Sequence, residues 1–186
     1  MSSSSHKAAR RTFIKGLAAV PAVLSFSDLL AAEANTAHQA LVIGNSAYDG
    51  MALPNPANDA QAMSGLLGRA GFTIDSHINA PRADMMKAMD RFADTILRSD
   101  TKLAILYYAG HGVQLDWRNY LVPVDATVDK RSDIQTKCVD LNNLLAQIST
   151  IKDKTFIIIL DACRDDPFGK KYRPENKGLS QFDAPV

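Results

Sequence analysis

This sequence predicts an α/β fold with a mostly parallel central sheet flanked by helices, and three observations carry the prediction. Leu103-Ala104-Ile105-Leu106-Tyr107-Tyr108 and Phe156-Ile157-Ile158-Ile159-Leu160 are apolar runs without polar alternation. That is the pattern of strands buried on both faces beneath covering helices. Segments whose apolar residues recur at helical spacing separate such runs. The resulting order, strand and helix in alternation with a strand at each end, is that of a sheet wound with right-handed crossovers.

The chain has 186 residues, 46% of them apolar, and a formal net charge of +1. The length suits one domain with one core once a leader is set aside. The balanced charge gives no electrostatic footing for nucleic acid or for an acidic partner. Cys138 and Cys163 allow at most one disulfide, which excludes a disulfide-rich or metal-ribbon framework.

Residues 1–37 stand apart from the fold. Lys7-Ala8-Ala9-Arg10-Arg11-Thr12-Phe13-Ile14-Lys15 puts paired arginines ahead of an apolar stretch from Gly16 to about Ala32, interrupted by Pro21. That stretch is too short and too weakly apolar for a stable membrane span. Basic, apolar, then small is the order of a signal peptide; the Arg-Arg-x-Phe-Ile-Lys core resembles the twin-arginine export signal, and Ala32-Glu33-Ala34 offers a cleavage site. The alternative is a basic amphipathic tail or membrane-surface helix. Export would place the mature protein in the periplasm or outside the cell.

Gln39-Ala40-Leu41-Val42-Ile43-Gly44 is the first strand, closed by glycine, and Asn45 to Asn55 is a long loop of turn formers. Neither the dinucleotide glycine pattern nor a Gly-Lys-Ser/Thr ending occurs there, so a phosphate loop is excluded. Asn55 can cap a helix whose first position suits Pro56, with Ala60, Met63 and Leu67 at helical spacing until Gly68 and Gly71. Phe72-Thr73-Ile74-Asp75-Ser76-His77 alternates and reads as a strand near an edge. A second helix from about Pro81 to Ser99 buries Met85, Met89, Phe92, Ala93 and Ile96, with Met86 at the margin; its methionines read as core filling.

The strand at 103–108 then ends in Ala109-Gly110-His111-Gly112, read as a turn. Trp117 to Asp125 reads as a short exposed hairpin, with Pro123 barred from a central position. Asp140 can cap a third helix bearing Leu141, Leu144, Leu145 and Ile148, which leads to the strand that ends in Asp161-Ala162-Cys163-Arg164. Residues 165–186 turn polar and basic and read as an exposed linker.

Two strands of the same character therefore end in reactive residues, His111 and Cys163. If the strands are neighbours, the two meet at the carboxyl edge of the sheet, where open α/β sheets place their ligands, and an imidazole within reach activates a thiol. The competing readings of Cys163 are a buried structural cysteine and a disulfide with Cys138. Cys138 reads as structural. His6, His38 and His77 have no metal-ligand spacing, and no metal is expected.

Tyr107-Tyr108-Ala109-Gly110-His111-Gly112, with Asp161-Ala162-Cys163-Arg164 following at about the caspase His-to-Cys separation of 50 residues, resembles the caspase-like cysteine peptidases. It is similar to the metacaspase branch, and within it to the bacterial members called orthocaspases. Asp161 stands where the animal pattern has Gln, and Asp165 where it has Gly. The resemblance covers about Ala40 to Arg164. It implies a caspase-like three-layer sandwich over 38–164 and a cysteine endopeptidase with a His111/Cys163 dyad. It also implies an oxyanion hole formed by the amides of Gly112 and Cys163. Gly112 as a simple turn residue is the structural alternative.

The resemblance further implies a pocket for a basic substrate side chain. Asp161 lies two residues before Cys163, so strand alternation brings it to the side of the thiol. Asp59, in the first helical turn, matches an acidic position that metacaspases bring to the same pocket. Two carboxylates around one cavity call for a cation between them, so cleavage is expected after Arg or Lys in protein or peptide substrates. The alternatives are a helix-favouring acid for Asp59 and a polar strand end for Asp161. By the same resemblance, 165–186 holds the linker and the start of a small subunit that is otherwise missing, and Lys170, Lys171, Arg173 and Lys177 are candidate self-processing sites. No cofactor is expected. Many metacaspases respond to calcium, but Asp125, Asp129, Asp133 and Asp140 form no calcium-loop pattern and no site is placed. A catalytically incomplete scaffold acting as a protein-interaction module is the other functional expectation.

Overall fold

The two apolar runs do pair as parallel neighbours, and the rest of the fold is built outward from them. The computed structural model describes residues 37–163 except Ser99, with Cys163 described by its backbone alone. In chain order the elements are β1 (His38–Gly44), α1 (Pro56–Arg69), β2 (Thr73–Ile78), α2 (Arg82–Arg98), β3 (Leu103–Leu115), β4 (Arg118–Leu121), α3 (Arg131–Lys137), β5 (Val139–Asp140), α4 (Leu141–Ile148) and β6 (Thr155–Cys163). β1 pairs in parallel with β2 and β3, and β3 pairs in parallel with β6. Beyond residue 111, β3 runs on into an antiparallel extension with β4, which pairs β5.

Three layers result. On one face of the sheet, Met85, Met89, Phe92, Ala93 and Ile96 of α2 and Leu141, Leu144 and Ile148 of α4 pack on Leu41, Ile43, Leu106 and Tyr108. On the other, Ala60 and Leu67 of α1 pack on Ala40, Val42, Ile105 and Tyr107. Alternate strand residues thus feed opposite faces, so a strand buried under two helical layers must be apolar throughout. The contact of α1 with β1 is close because Gly44 has no side chain. A Cβ there would lie 2.5 Å from the Pro56 carbonyl oxygen and closer still to the Ala60 Cβ. The first turn of α1 consequently sits against the carboxyl end of the sheet, and Asp59 with it.

Several expectations need correction. Ala109-Gly110-His111-Gly112 is not a turn: β3 continues to Leu115, because Val113 and Leu115 find burial with Tyr48, Tyr120 and Val122. The segment after Trp117 is not an exposed hairpin. Its turn, Asp116 and Trp117 at φ 50° and 62°, is exposed at Trp117, but Asn119, Tyr120, Leu121 and Val122 are buried. The sequence reading lacked α3 and β5. Finally, among the described residues β6 is not covered on both faces. Ile157 and Ile159 remain 41% and 36% exposed, and among the described residues β6 pairs only with β3.

Asp140 caps α4 as expected, accepting from the Asn142 N–H at 2.9 Å. The leader, the basic linker and Lys170, Lys171, Arg173 and Lys177 lie outside the described residues. No described helix is long and apolar enough to cross a membrane.

Candidate active site

The parallel register of β3 and β6 runs from Leu103 beside Thr155 to His111 beside Cys163. The two residues singled out from the sequence are therefore direct cross-strand neighbours at the carboxyl edge of the sheet. Two positions earlier, Ala109 stands beside Asp161.

His111 is 6% exposed and fixed on several sides. Its N–H donates to the Tyr48 hydroxyl (3.0 Å), and its carbonyl accepts from the Tyr108 hydroxyl (2.6 Å) and the Val122 N–H (3.0 Å). The Tyr48 ring lies 4.5 Å from the imidazole, centroid to centroid, tilted by 54°. Gly110 makes this arrangement possible. A Cβ there would meet the Tyr48 and Tyr108 hydroxyls at 2.6 and 2.7 Å.

The imidazole Nε2 lies 2.9 Å from the Met51 carbonyl oxygen. A carbonyl only accepts, so Nε2 carries the proton and Nδ1 presents a lone pair. Nδ1 is buried and has no hydrogen-bond partner among the described residues. Burial holds the His111 pKa below its ordinary value of 6.5, opposed by the Met51 hydrogen bond. The ring is thus a neutral base with its free nitrogen defined.

Backbone alternation also sets the direction of the Gly112 amide. The Ala109 carbonyl accepts from the Asn45 N–H, and the His111 carbonyl from the Val122 N–H. Alternate residues of β3 therefore bond toward β1 and β4, and the N–H of Gly112 faces the opposite side, that of β6.

Asp161 is exposed and accepts from the Tyr107 hydroxyl at Oδ2, 3.2 Å. Asp59, also exposed, acts electrostatically on the same hydroxyl. Of the two carboxylates expected from the sequence, Asp161 is hydrogen-bonded to Tyr107, and Asp59 lies in the first turn of α1.

The caspase domain family matches residues 37–184. The chain belongs to this family. Over 126 residues this caspase domain is 31% identical to the mucosa-associated lymphoid tissue lymphoma translocation protein 1 homolog of Mus musculus, covering 67% of this chain and 14% of that protein. It is 25% identical over 140 residues to caspase-1-B of Xenopus laevis, covering 70% of this chain and 35% of that one. The chain thus spans a minor part of the length of these relatives. Among solved structures, protein GSU0716 from Geobacter sulfurreducens aligns with a TM-score of 0.51 at 18% identity, over 68% of this chain and 50% of that one; that likeness concerns the fold alone.

Other titratable groups of this caspase domain have structural work. Cys138 is a free buried thiol pushed up to about 12 by burial, so the disulfide reading falls. Asp125 accepts from the Arg82 N–H, Asp133 from the Asp129 and Lys130 N–H groups, and Asp140 from Arg118. Among the described residues, no group of three or more His, Cys, Asp and Glu could hold a metal ion. Two contributors to the site had escaped the sequence reading. The Met51 carbonyl leaves no sequence signal, since every residue has one. Tyr48 left a faint one, a lone aromatic ring among turn formers.

Proposed function

We propose that this caspase domain hydrolyses peptide bonds after Arg or Lys with a dyad of Cys163 and His111. The observation that carries the proposal is the β3–β6 register, which sets Cys163 beside an imidazole whose free nitrogen is Nδ1. His111 Nδ1 takes the thiol proton, and the Cys163 sulfur attacks the scissile carbonyl carbon. The amides of Gly112 and Cys163 receive the oxyanion. Nδ1 returns the proton to the leaving amine as the C–N bond breaks. A water, deprotonated at Nδ1, then attacks the thioester, releasing the acid and restoring the thiol. The Met51 carbonyl holds the ring throughout and stabilises its protonated form.

Asp59 and Asp161 would take the guanidinium or ammonium of the substrate. The hydrogen bond of Asp161 to Tyr107 and the place of Asp59 in the first turn of α1, which packs against Gly44 at the carboxyl end of β1, support this pocket, whereas an acidic side chain would bring a third negative charge. We place the chain in the metacaspase branch, among the bacterial orthocaspases, on its His-Gly and Asp-Ala-Cys-Arg blocks. Export by the twin-arginine route to the periplasm or beyond, and self-processing at Lys170, Lys171, Arg173 or Lys177, belong to the same reading.

The uncovered face and edge of β6 support two further proposals: a small subunit that completes the sheet, and the alternative function of an interaction scaffold. Exposed Ile157 and Ile159, beside a strand edge that no described residue pairs, are a surface that favours association. Paired fluorogenic peptides ending in Arg and in Asp decide between enzyme and scaffold, assayed on the full chain and on a chain extended with its small subunit. Turnover of the Arg peptide that is lost in Cys163→Ala is expected. No turnover of either peptide by either chain leaves the scaffold, and faster turnover of the Asp peptide rejects the pocket.

A further inference from the structure

Tyr107 is 4% exposed on the face of the sheet that α1 covers, packed with Val42, Ala60 and Ile105. Its ring is held by the core, yet its hydroxyl reaches the end of the neighbouring strand. Parallel pairing sets Tyr107 beside Ile159 and Ala109 beside Asp161. The phenol therefore runs diagonally to a residue two places further along β6, where it donates to Asp161 Oδ2 over 3.2 Å.

An exposed aspartate ordinarily samples several rotamers. This one has an oxygen tied to a side chain that cannot follow it. Burial, reinforced by the charges of Asp161 and Asp59, pushes the phenol up to about 12. The hydroxyl consequently remains a neutral donor throughout the range in which a peptidase works.

We propose that Tyr107 is a positioning residue for substrate specificity: by engaging Oδ2 it fixes Asp161 and leaves Oδ1 in a set direction for a substrate guanidinium, favouring Arg over Lys. The proposal rests on the Asp59/Asp161 pocket put forward above. Its physical basis is the difference between the two cations. A guanidinium is a planar fork whose N–H groups need acceptors in fixed directions, whereas an ammonium is a compact charge with rotatable donors that can follow a mobile carboxylate. Removing the tether should therefore harm Arg recognition more than Lys recognition. A tyrosine hydroxyl that had merely found the nearest acceptor would show no such asymmetry.

The test separates binding from chemistry. N-acetyl-arginine amide and N-acetyl-lysine amide are titrated by NMR into the full chain carrying Cys163→Ala, with and without Tyr107→Phe. The hydroxyl's partner is exposed, so Tyr107→Phe leaves no buried group unpaired, and its melting temperature confirms the fold. Expected is a roughly five- to tenfold loss for the arginine amide, the net size of one ordinary hydrogen bond, against less than about twofold for the lysine amide. In an Asp161→Asn background the further effect of Tyr107→Phe should vanish. Equal losses for both amides, an unchanged ratio, or an effect that persists without the Asp161 carboxylate would overturn the proposal. So would failure of the parent chain to bind either amide, which removes the pocket as well. Binding needs no thiol; a chain that prefers the arginine amide through Tyr107 but cleaves no peptide upholds this inference and rejects only the peptidase reading.

Discussion

Replacing Tyr48 by Phe removes one oxygen from beneath His111 and keeps the ring beside it, so its cost can be worked out bond by bond. The hydroxyl accepts the His111 N–H (3.0 Å), donates to the Val122 carbonyl (3.1 Å) and lies 3.3 Å from the Tyr108 hydroxyl. The Val122 carbonyl keeps another donor, Asn45 Nδ2 at 3.2 Å. Tyr108 keeps its bond to the His111 carbonyl. The group left without a partner is the buried His111 amide. One such orphaned donor costs about 1–3 kcal/mol, or roughly 4–12 °C in melting temperature for a domain of this size. Urea and thermal unfolding of the full chain measure it directly. Tyr48→Leu, which also takes away the ring 4.5 Å from the imidazole, should cost more than Tyr48→Phe. A Tyr48→Phe protein within about 0.3 kcal/mol of the parent would refute the reasoning, because it would mean that the His111 amide is satisfied elsewhere.

Gly44→Ala should lower stability by about 1–3 kcal/mol, since its Cβ would sit 2.5 Å from the Pro56 carbonyl oxygen and α1 would have to retreat; unchanged thermal unfolding would show that the helix does not need this close approach. His111 makes stability pH-dependent. Its folded pKa is depressed by burial, so its contribution is complete above the ordinary value of 6.5 and declines as pH falls from there through the depressed value. Urea midpoints between pH 8 and pH 5 should therefore fall more steeply for the parent than for His111→Gln, and parallel curves would contradict the assignment.

Local pattern alone was enough for the elements whose residues choose their partners by periodicity. The stripe Met85, Met89, Phe92, Ala93 and Ile96 is buried as read, and Asp140 caps its helix because an N-terminal acceptor works within three residues of itself. What escaped depends on distant contacts. Gly110-His111-Gly112 carries the composition of a turn, but the chain stays extended because Tyr48, far away in sequence, packs against His111 and Val113. α3 holds one core residue, Ile134, in seven, too few for a period; it forms because Asp133 collects the Asp129 and Lys130 amides at its start.

The apolar run of β6 predicted two covered faces, and among the described residues one is open. A run of isoleucines records what a strand is suited to be covered by, and the covering element for Ile157 and Ile159 is not among the described residues. For the site, the likeness of the two strand ends was legible, and the register confirms that His111 and Cys163 are neighbours. The carbonyl that orients the imidazole was not, since backbone groups are placed by the fold and not by residue type.

The central claim, that Cys163 is a nucleophile activated by His111, is tested most directly by covalent labelling. A peptidyl acyloxymethyl ketone ending in Arg is incubated with the full chain and with a chain extended by the proposed small subunit, and the modified peptide is identified by mass spectrometry. The account predicts modification of Cys163, none of buried Cys138, and loss of the label in His111→Ala. Absence of label at Cys163 in both chains, or labelling that proceeds unchanged in His111→Ala, would contradict it.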